Sequence, residues 1–237
     1  MYVIDDKVFL HMVKSAGISV HVGAIKGNKK IDFNFRHGNI DMLPERYREL
    51  PRYAVIRSPE DWYKSFYRFF LGVQGYLSFM LYDPDSKGML QEIDIDEFVR
   101  RSINLKDTLL KYPNKARVFN NLLRSQGNAH FVCGYFKESF NVNSPETLDQ
   151  FDMSLYEWFF KNAGLDTATL IPMDRLDIVE DLFDISIGHD NKTNIKKRRV
   201  RISPEVIGLI RDTHTEYYDT IEEFDESILY KIKDELW

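Results

Sequence analysis

Cysteine is almost missing from this chain: Cys133 is the only one in 237 residues. One thiol cannot close a disulfide within the chain. The fold therefore has to rest on a hydrophobic core, and a reducing compartment is expected. Long apolar runs are missing as well. No stretch approaches the roughly 20 residues that span a bilayer, and the N-terminus has no basic region followed by a long apolar run, so a signal peptide is not expected. These absences predict a soluble, cytoplasmic protein. Excess positive charge is also lacking. Lys and Arg number 32 against 37 Asp and Glu, a net charge of −5, so no general nucleic-acid binder is expected and any anion site must be a local basic patch. Repeats and low-complexity segments are absent, and the 12 glycines and 8 prolines do not gather into linkers. One domain over residues 1–237 is expected, long enough to bury a full core.

Aromatic residues, by contrast, are plentiful at 14%, and the apolar pattern is well marked. Lys7–Met12 reads as a buried strand and Val20–Ile25 as part of the helix after it. Ile31–Phe35 alternates as a second strand does, residues 41–50 read as a short helix or turn, and Arg52–Arg57 reads as a third strand. A strong helix follows: Ser58 suits the N-cap, Pro59 the first helical position, and Glu60 and Asp61 the positive end of the dipole. Residues 72–90 carry two turn signals and read as a loop or flap. Helices are expected at 97–105, 114–125 and 155–163, the last ending at Gly164. Strands are expected at 129–136 and 168–173. After the second of these comes a turn and helix over 174–182, then a basic loop, then an amphipathic helix over 204–224 with Val206, Ile207, Ile210 and Tyr217 on one side. Strand–helix–strand–helix order at the start points to an α/β fold with a mainly parallel central sheet flanked by helices.

Two constellations carry charge to the ends of these strands. The first is "VFLHMVKSAGIS". A strand running into small residues and a helix start gathers backbone N–H groups at the positive end of a dipole, and Lys14 adds a full charge there. The Walker pattern places its lysine after the second glycine; here Lys14 precedes the only nearby glycine, Gly17. Alone, this stretch reads as an ordinary turn. The second is "RSPEDWYKSFY". Arg57 ends the third strand, where parallel α/β sheets bind ligands. Ser58 and Ser65 are seven residues apart, two helical turns, and so lie on nearly the same face. Arg57 and Ser65 can converge on one phosphate, the first with forked charged donors and the second with a hydroxyl. Alone, they read as an ion pair and a solvated hydroxyl. Trp62, Phe66, Phe69 and Phe70 read as core.

Together the two stretches resemble the sulfotransferases that use 3′-phosphoadenosine 5′-phosphosulfate (PAPS). "FLHMVKSAGIS" is similar to that family's 5′-phosphosulfate loop, F-x-H-x-P-K-[ST]-[AG]-[GST]-[ST]-[ST]. "VIRSPEDWYKSFY" is similar to its 3′-phosphate segment, R-[DN]-P-x-[DE]-x-x-x-S-x-[YF]. A looser similarity runs through "DRLDIVEDL", "HDNKTN" and "ISPEVIGLIRDTHTEYYDTIEEF" to the closing region of bacterial members. The middle, about residues 72–165, carries little of it. Val13 stands in place of the usual proline, Ile18 in place of a small hydroxyl residue, and Ser58 in place of Asp or Asn.

The resemblance implies a P-loop NTPase-like three-layer sandwich and sulfuryl transfer from PAPS to a hydroxyl- or amine-bearing acceptor, with no metal required. The absence of a signal or anchor favours a bacterial or phage-like member over a Golgi-type one. Lys14 would neutralise charge on the leaving phosphate. Ser15, Ala16, Gly17 and Ile18 would wrap the 5′-phosphate with N–H groups, Ser19 would add its hydroxyl, and Arg57 and Ser65 would hold the 3′-phosphate. Of the six histidines, His11 reads as buried and hydrogen-bonded. His37, following the second strand, is chosen as general base, with Asp41 or Glu45 next. The run Lys196–Arg201 reads as a solvated loop on composition. In relatives a basic segment closes over the nucleotide here, which makes Lys192, Lys196, Lys197 and Arg198 further donor-binding candidates. Tyr76, Phe79 and Tyr82 are open between acceptor pocket and core. A nucleotide phosphotransferase and a non-catalytic nucleotide-binding relative are the competing readings.

Overall fold

The computed structural model describes residues 1–35, 40–72, 82–83, 91–111, 149, 151–188, 200–222 and 224. A five-stranded sheet forms its centre, in the order β3-β1-β2-β4-β7. The strands are β1 (Tyr2–Ile4), β2 (Lys7–Leu10), β3 (Ile31–Asn34), β4 (Arg52–Ile56) and β7 (Thr169–Pro172). A separate ribbon pairs β5 (Tyr82–Asp83) with β6 (Gln91–Glu92).

The expectation of a mainly parallel sheet is corrected. β2 pairs parallel with β4 and β4 with β7, but β1 runs antiparallel to both of its neighbours, β2 and β3. The sheet is mixed. The cause is the hairpin made by β1 and β2, in which only Asp5 and Asp6 separate the paired residues Ile4 and Lys7. Asp5 takes a positive φ of 52°, a conformation that short polar side chains tolerate. β1 has three residues, too few for alternation to announce it, and Asp-Asp is a weaker hairpin signal than Asn-Gly or Asp-Gly.

Helices cover both faces. Alternation along β2 and β4 sends Val8, Leu10, Ala54 and Ile56 to one face, with Trp62, Phe66, Tyr156 and Phe159. Phe9, Tyr53 and Val55 go to the other, with Val20, Val179 and Phe183. The second face belongs to α1 (Gly17–Lys26) and α6 (Leu176–Phe183); the first carries α2 (Pro59–Gly72), α3 (Ile95–Ile103), α5 (Leu155–Asn162) and α7 (Pro204–Thr213). α4 (Leu105–Lys111) follows α3 directly. Ser58, Asp94, Ser154 and Ser203 each accept a hydrogen bond from the backbone N–H three residues on, satisfying donors that a helix start leaves open. Gly164, at φ 75°, closes α5 as expected, in a left-handed conformation that glycine adopts freely.

The expected C-terminal helix is two helices. α7 stops at Thr213 and α8 (Thr215–Glu222) begins at once, with His214 between them. Val206, Ile210 and Tyr217 are buried along their inner side, as the periodicity predicts. Among the described residues no helix is long and apolar enough to cross a membrane. The expected helix over 114–125 and strand over 129–136, and Tyr76 and Phe79, lie outside the described residues.

Candidate functional site

β2 and β4 lie side by side and parallel, with Val8 opposite Arg52 and Leu10 opposite Ala54. Their C-terminal ends therefore open at the same sheet edge. The chain leaves β2 through a turn that contains Lys14, and leaves β4 through Arg57 into α2. The next parallel strand, β7, ends one step further along, followed by Met173 and Asp174.

A cavity of about 590 Å³ occupies this edge. Lys14 lines it from the turn, Arg57 from just past β4, Asp61, Lys64, Ser65 and Arg68 from α2, and Asp174 from just past β7. The four α2 residues fall at i, i+3, i+4 and i+7, one stripe of the helix. Trp62, Tyr63, Phe66 and Tyr67 on its other side are buried, which bears out the core reading of Trp62 and Phe66.

Those buried rings fix the cavity's rim. Trp62 donates its indole N–H to the Val13 carbonyl at 2.7 Å, and Tyr156 donates its hydroxyl to the Arg57 carbonyl at 2.8 Å. Each holds the backbone beside a cationic residue to the core, so neither loop is free to swing.

Four cations and two carboxylates line the cavity, in a chain whose net charge is −5. Their fields are felt. Burial, with the charge of Arg57 second, lowers the Lys14 ammonium from 10.5 to about 8. Burial also lowers the Arg57 guanidinium; Asp61 opposes this and Arg68 adds to it. Lys64 is neutralised locally, paired with Glu60 one turn back and 3.7 Å from Asp61. Lys14 and Ala16 both take positive φ, 67° and 56°, which costs about 1–3 kcal/mol at each non-glycine position. Such strain is tolerated where the surroundings over-determine the turn, as the Trp62 contact does here.

Lys14, Arg57 and Ser65, identified from the sequence, are thus brought together. Ser15, Ala16, Gly17, Ile18 and Ser19 do not line this cavity. The Ser15 N–H is directed to the Met12 carbonyl at 3.3 Å, and its hydroxyl is buried without a partner among the described residues. Ile18 is exposed, and α1 starts at Gly17 with no side chain capping it. Gly17 meets a packing demand: a Cβ there would come within 2.0–2.3 Å of the His11 ring. His11 is buried, as expected, with Nδ1 3.4 Å from the Tyr2 hydroxyl. Asp41 and Glu45 are exposed and away from the cavity, Glu45 paired with Arg48 at 2.9 Å. His37, Lys192, Lys196, Lys197 and Arg198 lie outside the described residues.

Sequence reasoning missed Lys64, Arg68 and Asp174. For the first two the signal was present: the spacing that aligns Ser58 with Ser65 also aligns Asp61, Lys64 and Arg68. Asp174 had none, because only strand pairing sets β7 beside β4. Among the described residues no three His, Cys, Asp or Glu side chains gather as a metal ion would need. Compared with protein-family models, with curated proteins and with solved structures, the chain matches none.

Proposed function

We propose that the protein is a PAPS-dependent sulfotransferase with a P-loop NTPase-like arrangement of its strand–turn–helix units. One observation carries this reading: Lys14, Arg57 and Ser65, from two motifs more than forty residues apart, line one cationic cavity at the ends of adjacent parallel strands. The residues fit the donor. A half-buried ammonium and a guanidinium whose charge burial disfavours gain most from an anion placed between them, since attraction strengthens as water is excluded. When bound, PAPS supplies a sulfuryl group on a phosphate leaving group.

The chain's own residues then have separate tasks. Lys14 stabilises negative charge as it builds on the leaving phosphate, the kind of preorganised electrostatic help that dominates such transfers. Arg57 and Ser65 hold the 3′-phosphate, which distinguishes this nucleotide from ATP. Of residues 14–19 only Lys14 lines the cavity, so the 5′ end is assigned to Lys14. His37 is proposed as the base that takes the proton of a hydroxyl or amine acceptor, and the 192–198 segment as a further donor contact.

Ligand-dependent thermal stability tests the reading. 3′-Phosphoadenosine 5′-phosphate raises the melting temperature, with about 2.7 kcal/mol of stabilisation at 100 times its Kd, and ATP with magnesium does not. Stabilisation by ATP with magnesium alone would assign the cavity to a phosphotransferase.

A further inference from the structure

The proposed 3′-phosphate site accounts for Arg57 and Ser65 but leaves a further cation on the same wall. Arg68 lies three residues beyond Ser65 on α2, about 4.5 Å further along the axis, and lines the same cavity. Its charge reaches Arg57, and that of Arg57 reaches Lys14, so three like charges follow one another along the cavity. The two carboxylates that also line the cavity, Asp61 and Asp174, are outnumbered by its four cations, so it keeps a net positive charge. Lys64 shares the face but is already paired with Glu60 and close to Asp61. Arg68 makes no ion pair among the described residues. Asp61 offsets part of the field at Arg57, and its nearest cation is Lys64.

We propose that Arg68 is a third ligand of the phosphate assigned to Arg57 and Ser65, forming a two-guanidinium clamp that selects nucleotides bearing a 3′-phosphomonoester. The inference rests on the donor reading above and adds a specificity-determining residue to it. The chemistry suits the count of charges. A phosphomonoester carries close to two negative charges at neutral pH, with a second pKa near 6, and each guanidinium offers forked donors to its oxygens. A ligand without that phosphate leaves the clamp unused.

The test compares 3′-phosphoadenosine 5′-phosphate with adenosine 5′-phosphate by calorimetric titration of wild type, Arg68→Ala, Arg68→Lys and Lys64→Ala. Arg68→Ala should weaken the first ligand by about 10–100-fold, the range for a hydrogen bond to a charged group, and leave the second within about twofold. Arg68→Lys should fall between, because it keeps charge and loses the fork, and Lys64→Ala should keep the wild-type preference. Arg68 is exposed, so the unliganded melting temperature should not fall. If Arg68→Ala binds the first ligand as tightly as wild type does, or weakens both ligands equally, the clamp is overturned and the donor reading survives. If wild type itself shows no preference for the 3′-phosphate, both fall together.

Discussion

Lys14 carries a pH signature that follows from its place in the turn. Without ligand its ammonium is held down to about 8, first by burial and then by Arg57. An anion binds the protonated form and so raises that pKa. Affinity for 3′-phosphoadenosine 5′-phosphate should therefore be steady from pH 7 to about 8. Above that it should fall, by up to tenfold per pH unit, with proton uptake on binding. The phosphates, with second pKa values near 6, are fully charged throughout this window. Calorimetry in buffers of different ionisation enthalpy measures the uptake, and Lys14→Ala should lack it. An affinity that stays flat to pH 9.5 would separate Lys14 from the anion. Gly17 makes a second residue-scale claim, about packing. In Gly17→Ala the new methyl meets the His11 ring at 2.0–2.3 Å, and the ring is backed by Tyr2. The loss should be about 1–3 kcal/mol, typical of overpacking, read as a lower urea midpoint with unchanged slope. An unchanged midpoint would mean that the ring moves aside freely.

At the scale of elements, the junction of α7 and α8 decides how the cavity is closed. Ile221 of α8 lines the cavity, and the Tyr218 hydroxyl accepts the Glu60 N–H at the start of α2 at 3.3 Å. What docks this helix pair is His214, fully buried, 3.2 Å from the Tyr63 hydroxyl and ringed by Tyr156 and Tyr217. Its Nδ1 has no partner among the described residues. Burial lowers its pKa from 6.5 to about 4, so the unfolded chain takes up a proton that the folded protein refuses. Its contribution is complete above pH 6.5 and is lost as pH falls towards 4, a change of about 3 kcal/mol. Urea unfolding at pH 7.5 and pH 4.5 should show this loss in wild type, and the part due to His214 should vanish in His214→Gln. An equal loss in both would place the acid sensitivity elsewhere. Periodicity alone read this region as one helix, because Val206, Ile210 and Tyr217 stay in phase across the break. The break depends on His214 leaving the helical conformation, at φ −124°, to reach Tyr63, 151 residues away in sequence.

Across the whole molecule, charge is divided unequally: a chain with five excess negative charges keeps a cavity lined by four cations and two acids. Local sequence was enough to determine the alternating strands, the capped α2 and its aromatic inner side, because these depend on neighbours within one or two turns. It also determined that a lysine follows one strand and an arginine another, and that Ser65 shares a helix face with Ser58. Tertiary structure decided the rest. The antiparallel β1 makes the sheet mixed, since a three-residue strand is specified by its partners and not by its own pattern. Pairing of β4 with β2 and β7 set Lys14, Arg57 and Asp174 around one cavity, where burial and a neighbouring like charge lower the pKa values of Lys14 and Arg57. The Ser15–Ser19 stretch, which runs from the turn into α1, shows the limit from the other side: its residue types suit a phosphate loop, but its backbone follows the packing of Gly17 on His11 and the bond from Ser15 to Met12. Hydrogen bonding and steric fit act over a few ångströms in space, and the chain order does not state which distant residues will supply them.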